Sequence, residues 1–120
     1  VRLLVANRSK IIGTRFETLI ARYLQTAGFP HAERRALQGA LDKGDIGGCG
    51  PLVFECKAAK RHELSSWIEE TVSETRNAGA DYGILVVKRN GHNTGEEQYA
   101  VMRLEDMVRL LHKAGYGNVE

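Results

Sequence analysis

Leu52-Val53-Phe54-Glu55-Cys56-Lys57 is a compact run of β-favouring side chains ended by polar sequence, and it predicts a central strand. Alternate side chains of a strand face the same way, so Val53, Glu55 and Lys57 share one side while Leu52, Phe54 and Cys56 share the other. Upstream, the polar, glycine-rich passage from Gly39 to Pro51 holds Asp42-Lys43-Gly44-Asp45-Ile46, which reads as a short strand flanked by turns. A further strand is expected over His31 to Leu37. Before it, Ile12, Phe16, Leu19, Ile20, Tyr23, Leu24 and Ala27 recur at helical spacing until Gly28-Phe29-Pro30 stops them, which predicts a first helix from Lys10 to Ala27. Downstream, Leu64, Trp67, Ile68, Thr71, Val72 and Thr75 mark a second helix over Glu63 to Ala78. Tyr82 to Val87 is an apolar run suited to a strand covered on both faces. Arg89 to Glu97 reads as a loop, Gln98 to Met102 as a strand, and Leu104 to Lys113 as a closing amphipathic helix. The order αβββαββα is that of an α/β fold, a mixed sheet of about five strands flanked by helices.

A chain of 120 residues suits one domain with a modest core. Residues 1–9 are expected as a flexible basic arm and 115–120 as a loose tail. With 42% hydrophobic and 27% charged residues, the composition is that of a folded globular protein, not a disordered one. No apolar run approaches the roughly 20 residues that span a bilayer, so no membrane partner and a cytoplasmic location are expected. Cys49, Cys56 and the histidines show no paired zinc-ligand spacing. The net charge of +2 is too small to indicate nucleic acid by itself. Distribution says more, because Arg8 with Lys10, Arg34 with Arg35, and Lys57 with Lys60 and Arg61 collect near turns and element ends. Such clusters suggest one basic face, although they are equally the signature of ordinary solvated surface.

Glu55 and Lys57 are neighbours on one strand face, with Cα atoms roughly 7 Å apart, so a carboxylate can hold a cation while an ammonium reaches the substrate beside it. Alone, Glu-x-Lys equally describes a charged pair at a solvent-facing strand end. Asp45 lies ten positions earlier, in a glycine-flanked segment able to turn back beside Glu55. Hard cations such as Mg²⁺ take one or two carboxylates with waters and substrate phosphate, and Asp45 and Glu55 supply that minimum. The plainer reading of Asp45 and Asp42 is that aspartate is favoured in turns. Glu17 borders the apolar arc of the first helix, and Gly13 one turn earlier leaves room beside it. A boundary glutamate can also be a partly exposed surface residue.

Gly13-Thr14-Arg15-Phe16-Glu17, then Gly44-Asp45-Ile46, then Phe54-Glu55-Cys56-Lys57 together resemble the PD-(D/E)xK nuclease superfamily, with the closest likeness to archaeal-type and phage Holliday junction resolvases. The resemblance runs from Ile12 to Leu111. It implies a restriction-endonuclease-like fold in which Asp45 and Glu55 bind the metal, Glu17 completes the acidic site, and Lys57 orients the attacking water or stabilises charge on the phosphate. The backbone carbonyl of Cys56 is a further implied ligand. Gly44 stands where the superfamily's name has proline, and no auxiliary glutamine or lysine is assigned early in the second helix.

These residue types suit phosphodiester hydrolysis, which needs a Lewis acid and positive charge but no covalent protein nucleophile. Ser65 and Ser66 lack a recognisable base arrangement despite nearby His62, and Cys49 sits in a glycine-rich turn without a partner. Gly39 to Gly50 is followed by no Gly-Lys-Ser/Thr and opens no helix, which excludes a phosphate-binding P-loop and a nucleotide cofactor on that basis. The expectation is therefore an Mg²⁺-dependent endonuclease, with Mn²⁺ able to substitute, serving DNA recombination or repair. Its DNA contacts would come from Arg8, Lys10, Arg15, Arg34, Arg35, Lys43, Lys60 and Arg61, with Arg2 of the arm. A four-way junction has approximate two-fold symmetry, so a homodimer is implied. Trp67 and the acidic face of the second helix are candidate contact surfaces, Trp67 being equally a core residue. Rival readings are a nuclease of the same superfamily acting on duplex or single-stranded DNA, and a non-catalytic DNA-binding module.

Overall fold

The computed structural model describes residues 2–35 and 41–118, with the side chains of residues 2–6 outside that description. Its elements are α1 (Arg2–Thr26), β1 (Glu33–Arg34), β2 (Ile46–Gly47), β3 (Leu52–Lys57), α2 (Leu64–Asn77), β4 (Tyr82–Val87), a 3₁₀ turn (Gly95–Glu97), β5 (Tyr99–Val101) and α3 (Leu104–Lys113). The five strands form one mixed sheet in sequence order. β3 and β4 pair in parallel, and the remaining pairs are antiparallel. A parallel pair cannot be closed by a tight turn, and α2 supplies the crossover.

The expected α/β architecture is thus present, with β3, β4 and α3 at the residues read from the sequence. α1 departs from expectation. Nothing between Arg2 and Ile12 is a glycine or proline, so the helix propagates back to Arg2, and residues 2–9 continue it instead of forming a separate arm. β1 and β2 are two residues each, shorter than the runs from His31 and Asp42 suggested. Ala36 and Leu37 of the expected first strand lie outside the described residues, as do the last two residues of the tail.

The sheet separates two apolar layers. On one side Phe16, Ile20, Ala21 and Leu24 of α1 pack with Ile46, Phe54 and Val86; on the other Trp67 of α2 packs with Leu85 and Val87. Ile12 and Tyr23, expected within the buried arc of α1, are exposed, because the helix face that meets the sheet is the narrower stripe through Phe16, Ile20 and Leu24. Trp67 is core, which removes it as a surface contact. Gly83 marks the tightest helix–sheet approach, since a Cβ there would lie 1.9 Å from Thr75 Oγ1. Among the described residues no helix is long and apolar enough to cross a membrane.

Candidate metal centre

β2 and β3 pair through Ile46 opposite Phe54, which sets Asp45 beside Glu55 and Cys56. The Asp45 amide donates to the Phe54 carbonyl at 2.9 Å, and the Cys56 amide donates to Asp45 Oδ2 at 2.8 Å, so the carboxylate continues a ladder that the backbone has left. The turn preceding it is closed by Gly44 N–H donating to Asp42 Oδ1 at 2.9 Å. Gly44 itself has φ of 94°. Proline is locked near −65°, so this left-handed turn takes glycine where proline could not stand.

Glu55 points from β3 toward α2 and is 3% exposed. Lys57, two residues on and on the same face, places Nζ 3.8 Å from Glu55 Oε2 and 2.9 Å from Glu70 Oε2. From α2, Glu74 enters the same space at 2% exposure. Asp42, Glu55, Glu70 and Glu74 each offer a carboxylate oxygen, and these oxygens all lie within 4.8 Å of one another. Glu55 Oε1 and both carboxylate oxygens of Glu74 are buried without any hydrogen-bond partner. Buried polar groups are almost always satisfied, and an all-oxygen set of this kind is the donor chemistry of hard cations. The cluster could hold a metal ion.

The electrostatics point the same way. Burial first, then the close approach and negative charge of Asp45 and Glu74, drive the Glu55 carboxyl far above the ordinary carboxylate range. Burial first, then Asp42 and Glu70, raises Glu74 to about 7. Two carboxylates this close cannot both ionise without a proton or a cation between them. Burial pulls the Lys57 ammonium down, but the hydrogen bond to Glu70 and the charges of Glu55, Glu70 and Asp45 outweigh it, so it is raised and stays a cation. Burial, then Asp45 and the other carboxylates, pushes the Cys56 thiol up, so in the metal-free chain it stays a thiol.

Of the residues singled out from sequence, Asp45, Glu55 and Lys57 are therefore brought together. Glu17 is only partly so. Its carboxyl is raised by burial and by the charge of Asp45, but its Oε1 sits 3.2 Å from Arg34 Nε and it lies outside the four-carboxylate group. Gly13 does leave space beside it, a Cβ there falling 3.8 Å from Glu17 Oε2. Two expected phosphate contacts are otherwise engaged. Arg34 holds Glu17 and Thr14 Oγ1, and Arg35 Nη1 donates to the Lys43 carbonyl at 2.6 Å while packing over Gly47. Arg8, Lys10, Arg15, Lys43, Lys60 and Arg61 are exposed.

The sequence offered Glu70 and Glu74 only as part of an acidic helix face and Asp42 only as a turn residue, not as members of the metal site. A signal was present, because Trp67, Thr71 and Glu74 follow one another at the spacing of a single buried helix stripe, and an acid in such a stripe needs a counter-charge. Comparison with known proteins adds no relationship: no family model matches the chain, and no curated protein or solved structure matches it significantly.

Proposed function

We propose that this protein is a divalent-metal-dependent endodeoxyribonuclease of the PD-(D/E)xK kind, acting on branched DNA as a Holliday junction resolvase. The observation that carries the reading is the meeting of Asp45 and Glu55, ten residues apart in sequence, beside a protonated Lys57 whose Nζ is 3.8 Å from Glu55. The unpartnered carboxylate oxygens at the same place fit a hard cation, with Mg²⁺ as the expected ion and Mn²⁺ as its substitute.

In this reading Asp45 and Glu55 hold the ion, with the Cys56 carbonyl as a further ligand and Glu17 reaching it through water. A divalent ion so held lowers the pKa of bound water and neutralises charge on a phosphoryl oxygen. Lys57, being charged, cannot act as a base; it donates to a non-bridging phosphate oxygen or orients the attacking water, adding positive charge where negative charge grows. Asp45 is kept in place by the Cys56 amide, which fixes the ligand geometry before substrate arrives. Arg8 and Arg15, two turns apart on one face of α1, and Lys43, Lys60 and Arg61 would contact the DNA backbone, reading shape more than sequence. Two symmetric nicks require two sites, hence two copies of the chain.

The test is cleavage of a synthetic four-way junction beside linear duplex of the same sequence. Mg²⁺- or Mn²⁺-dependent nicking of the junction is expected to exceed that of the duplex. Glu55→Ala or Lys57→Ala should abolish cutting, by about 10²-fold or more, with junction binding retained. Equal cutting of linear duplex would instead favour a general nuclease of the superfamily. Tight junction binding with no cutting in either metal would overturn catalysis and leave a DNA-binding module.

A further inference from the structure

We propose that the cleft between the last turn of α2, the start of β4 and α3 binds a phosphomonoester, with Arg76, Arg103 and Arg109 around the phosphate and the Tyr82 hydroxyl as a neutral donor. The cavity measures about 360 Å³, within the size range of small-molecule sites. It is separate from the carboxylates of the candidate metal centre. Glu74 belongs to the buried stripe of α2, and Arg76, two residues on, lies about 200° around the same helix.

Arg76 is exposed, lines the cavity and forms no ion pair among the described residues. Arg103 and Arg109 line it from α3 and together hold Asp106, through Arg103 Nε at 2.8 Å and Arg109 Nη2 at 3.2 Å. With Lys113 nearby, the cations outnumber Asp81, Asp106 and the solvent-facing Glu105. Tyr82 is the second indication. It lines the cavity at 4% exposure, with its ring centre 4.7 Å from Arg109 Cζ and 5.3 Å from Lys113 Nζ, and its hydroxyl is buried without a partner. Buried hydroxyls are almost always satisfied, and an anionic oxygen is the acceptor this donor lacks. A terminal phosphate brings three acceptor oxygens and a charge of about −1.5 to −2. A carboxylate or a phosphodiester offers fewer free oxygens and a single charge, and Asp106 already supplies a carboxylate to two of the guanidinium groups. Donors contributed by α2, α3 and β4 suit the tetrahedral group better. An adjoining cleft of about 510 Å³ shares Val72, Arg76 and Arg103 and adds Ile68, which gives the organic part of an ester an apolar wall.

The full chain, kept free of divalent metal by a chelator, is titrated with adenosine 5′-monophosphate and with acetate while the heat of binding is followed. The monophosphate is expected to bind at least about ten-fold tighter than acetate, and Arg76→Gln and Arg109→Gln should each weaken it about ten-fold, the worth of one charged hydrogen bond. Tyr82→Phe should weaken it several-fold while leaving the melting temperature unchanged or raised, because the hydroxyl it removes has no partner in the empty protein. A merely structural tyrosine would do the reverse. No binding of the monophosphate, acetate binding as tightly, or affinity unchanged in the arginine variants would overturn the proposal. If circular dichroism shows Arg109→Gln unfolded, Arg76→Gln, exposed and unpaired, decides alone. A single-stranded oligonucleotide carrying a 5′-phosphate separates the two sources of such a group: tighter binding than the nucleotide assigns the site to strand ends, and equal or weaker binding assigns it to a free metabolite. The same oligonucleotide with a 5′-hydroxyl binding as tightly as its phosphorylated form would show a surface for backbone diesters and overturn the proposal.

Discussion

Glu55 and Glu74 set the residue-scale behaviour, because each is buried and each faces another carboxylate. In the folded chain Glu74 is raised from 4.5 to about 7, and Glu55 is raised further in the same direction. A group that holds its proton more tightly when folded contributes stability below its unfolded pKa and loses it as pH rises through the folded one. The metal-free protein should therefore melt at progressively lower temperature as pH climbs from about 4.5 through about 7, with a further decline above that as Glu55 ionises. Protons and cations compete for the same oxygens, so added Mn²⁺ should raise the melting temperature more at the upper end of this window than at the lower. Differential scanning calorimetry at several pH values checks both signs. A metal-free melting temperature that rises across the window would show that the pair has another counter-charge. Asp45, Glu55 and Lys57 were legible because strand alternation and a ten-residue return are local facts. Glu74 was not, because its role depends on where the crossover helix lands.

At the scale of elements, the contact between α2 and β4 is the one on which the site depends. Gly83 allows it, since a Cβ would overlap Thr75 Oγ1 and press on Thr71 Cγ2 at 3.1 Å. Gly83→Ala is expected to destabilise the fold by about 1–3 kcal/mol, the usual cost of overpacking, and to weaken cation binding because Glu70 and Glu74 ride on the displaced helix. Urea denaturation beside Mn²⁺ titration measures the two effects, and loss of neither would show that α2 relaxes freely. β3, β4, α2 and α3 could be read from the sequence because each carries its own periodicity. The edge strands could not, because β1 and β2 extend only as far as their partner's register allows. The start of α1 was missed for want of a breaker: Leu3 to Lys10 carries no strong apolar stripe, yet nothing in it stops a helix.

For the molecule as a whole, α3 stands apart. Leu104, Val108 and Leu111 follow helical spacing along one side, all are exposed, and no α3 residue is buried. If two chains meet to act on a two-fold substrate, this apolar stripe is the surface expected to join them. Val108→Glu with Leu111→Glu should convert a dimer into a monomer in sedimentation equilibrium while leaving cation binding by each chain unchanged. A variant that stays dimeric would place the interface elsewhere. Charge distribution along the sequence suggested a basic face but could not say which arginines are already engaged, as Arg34 is by Glu17 and Arg35 by the Lys43 carbonyl.

Trp67, Glu70 and Glu74 belong to a single rigid rod, α2, and this ties oil to charge. Short of a shared proton or a bound cation, the carboxylates would ease their repulsion by tilting that rod outward, and the same tilt would lift the indole from its seat on Leu85 and Val87. Hydrophobic packing thus acts as the spring that keeps the carboxylate oxygens together, and a change that softens the aromatic contact would be felt in their spacing.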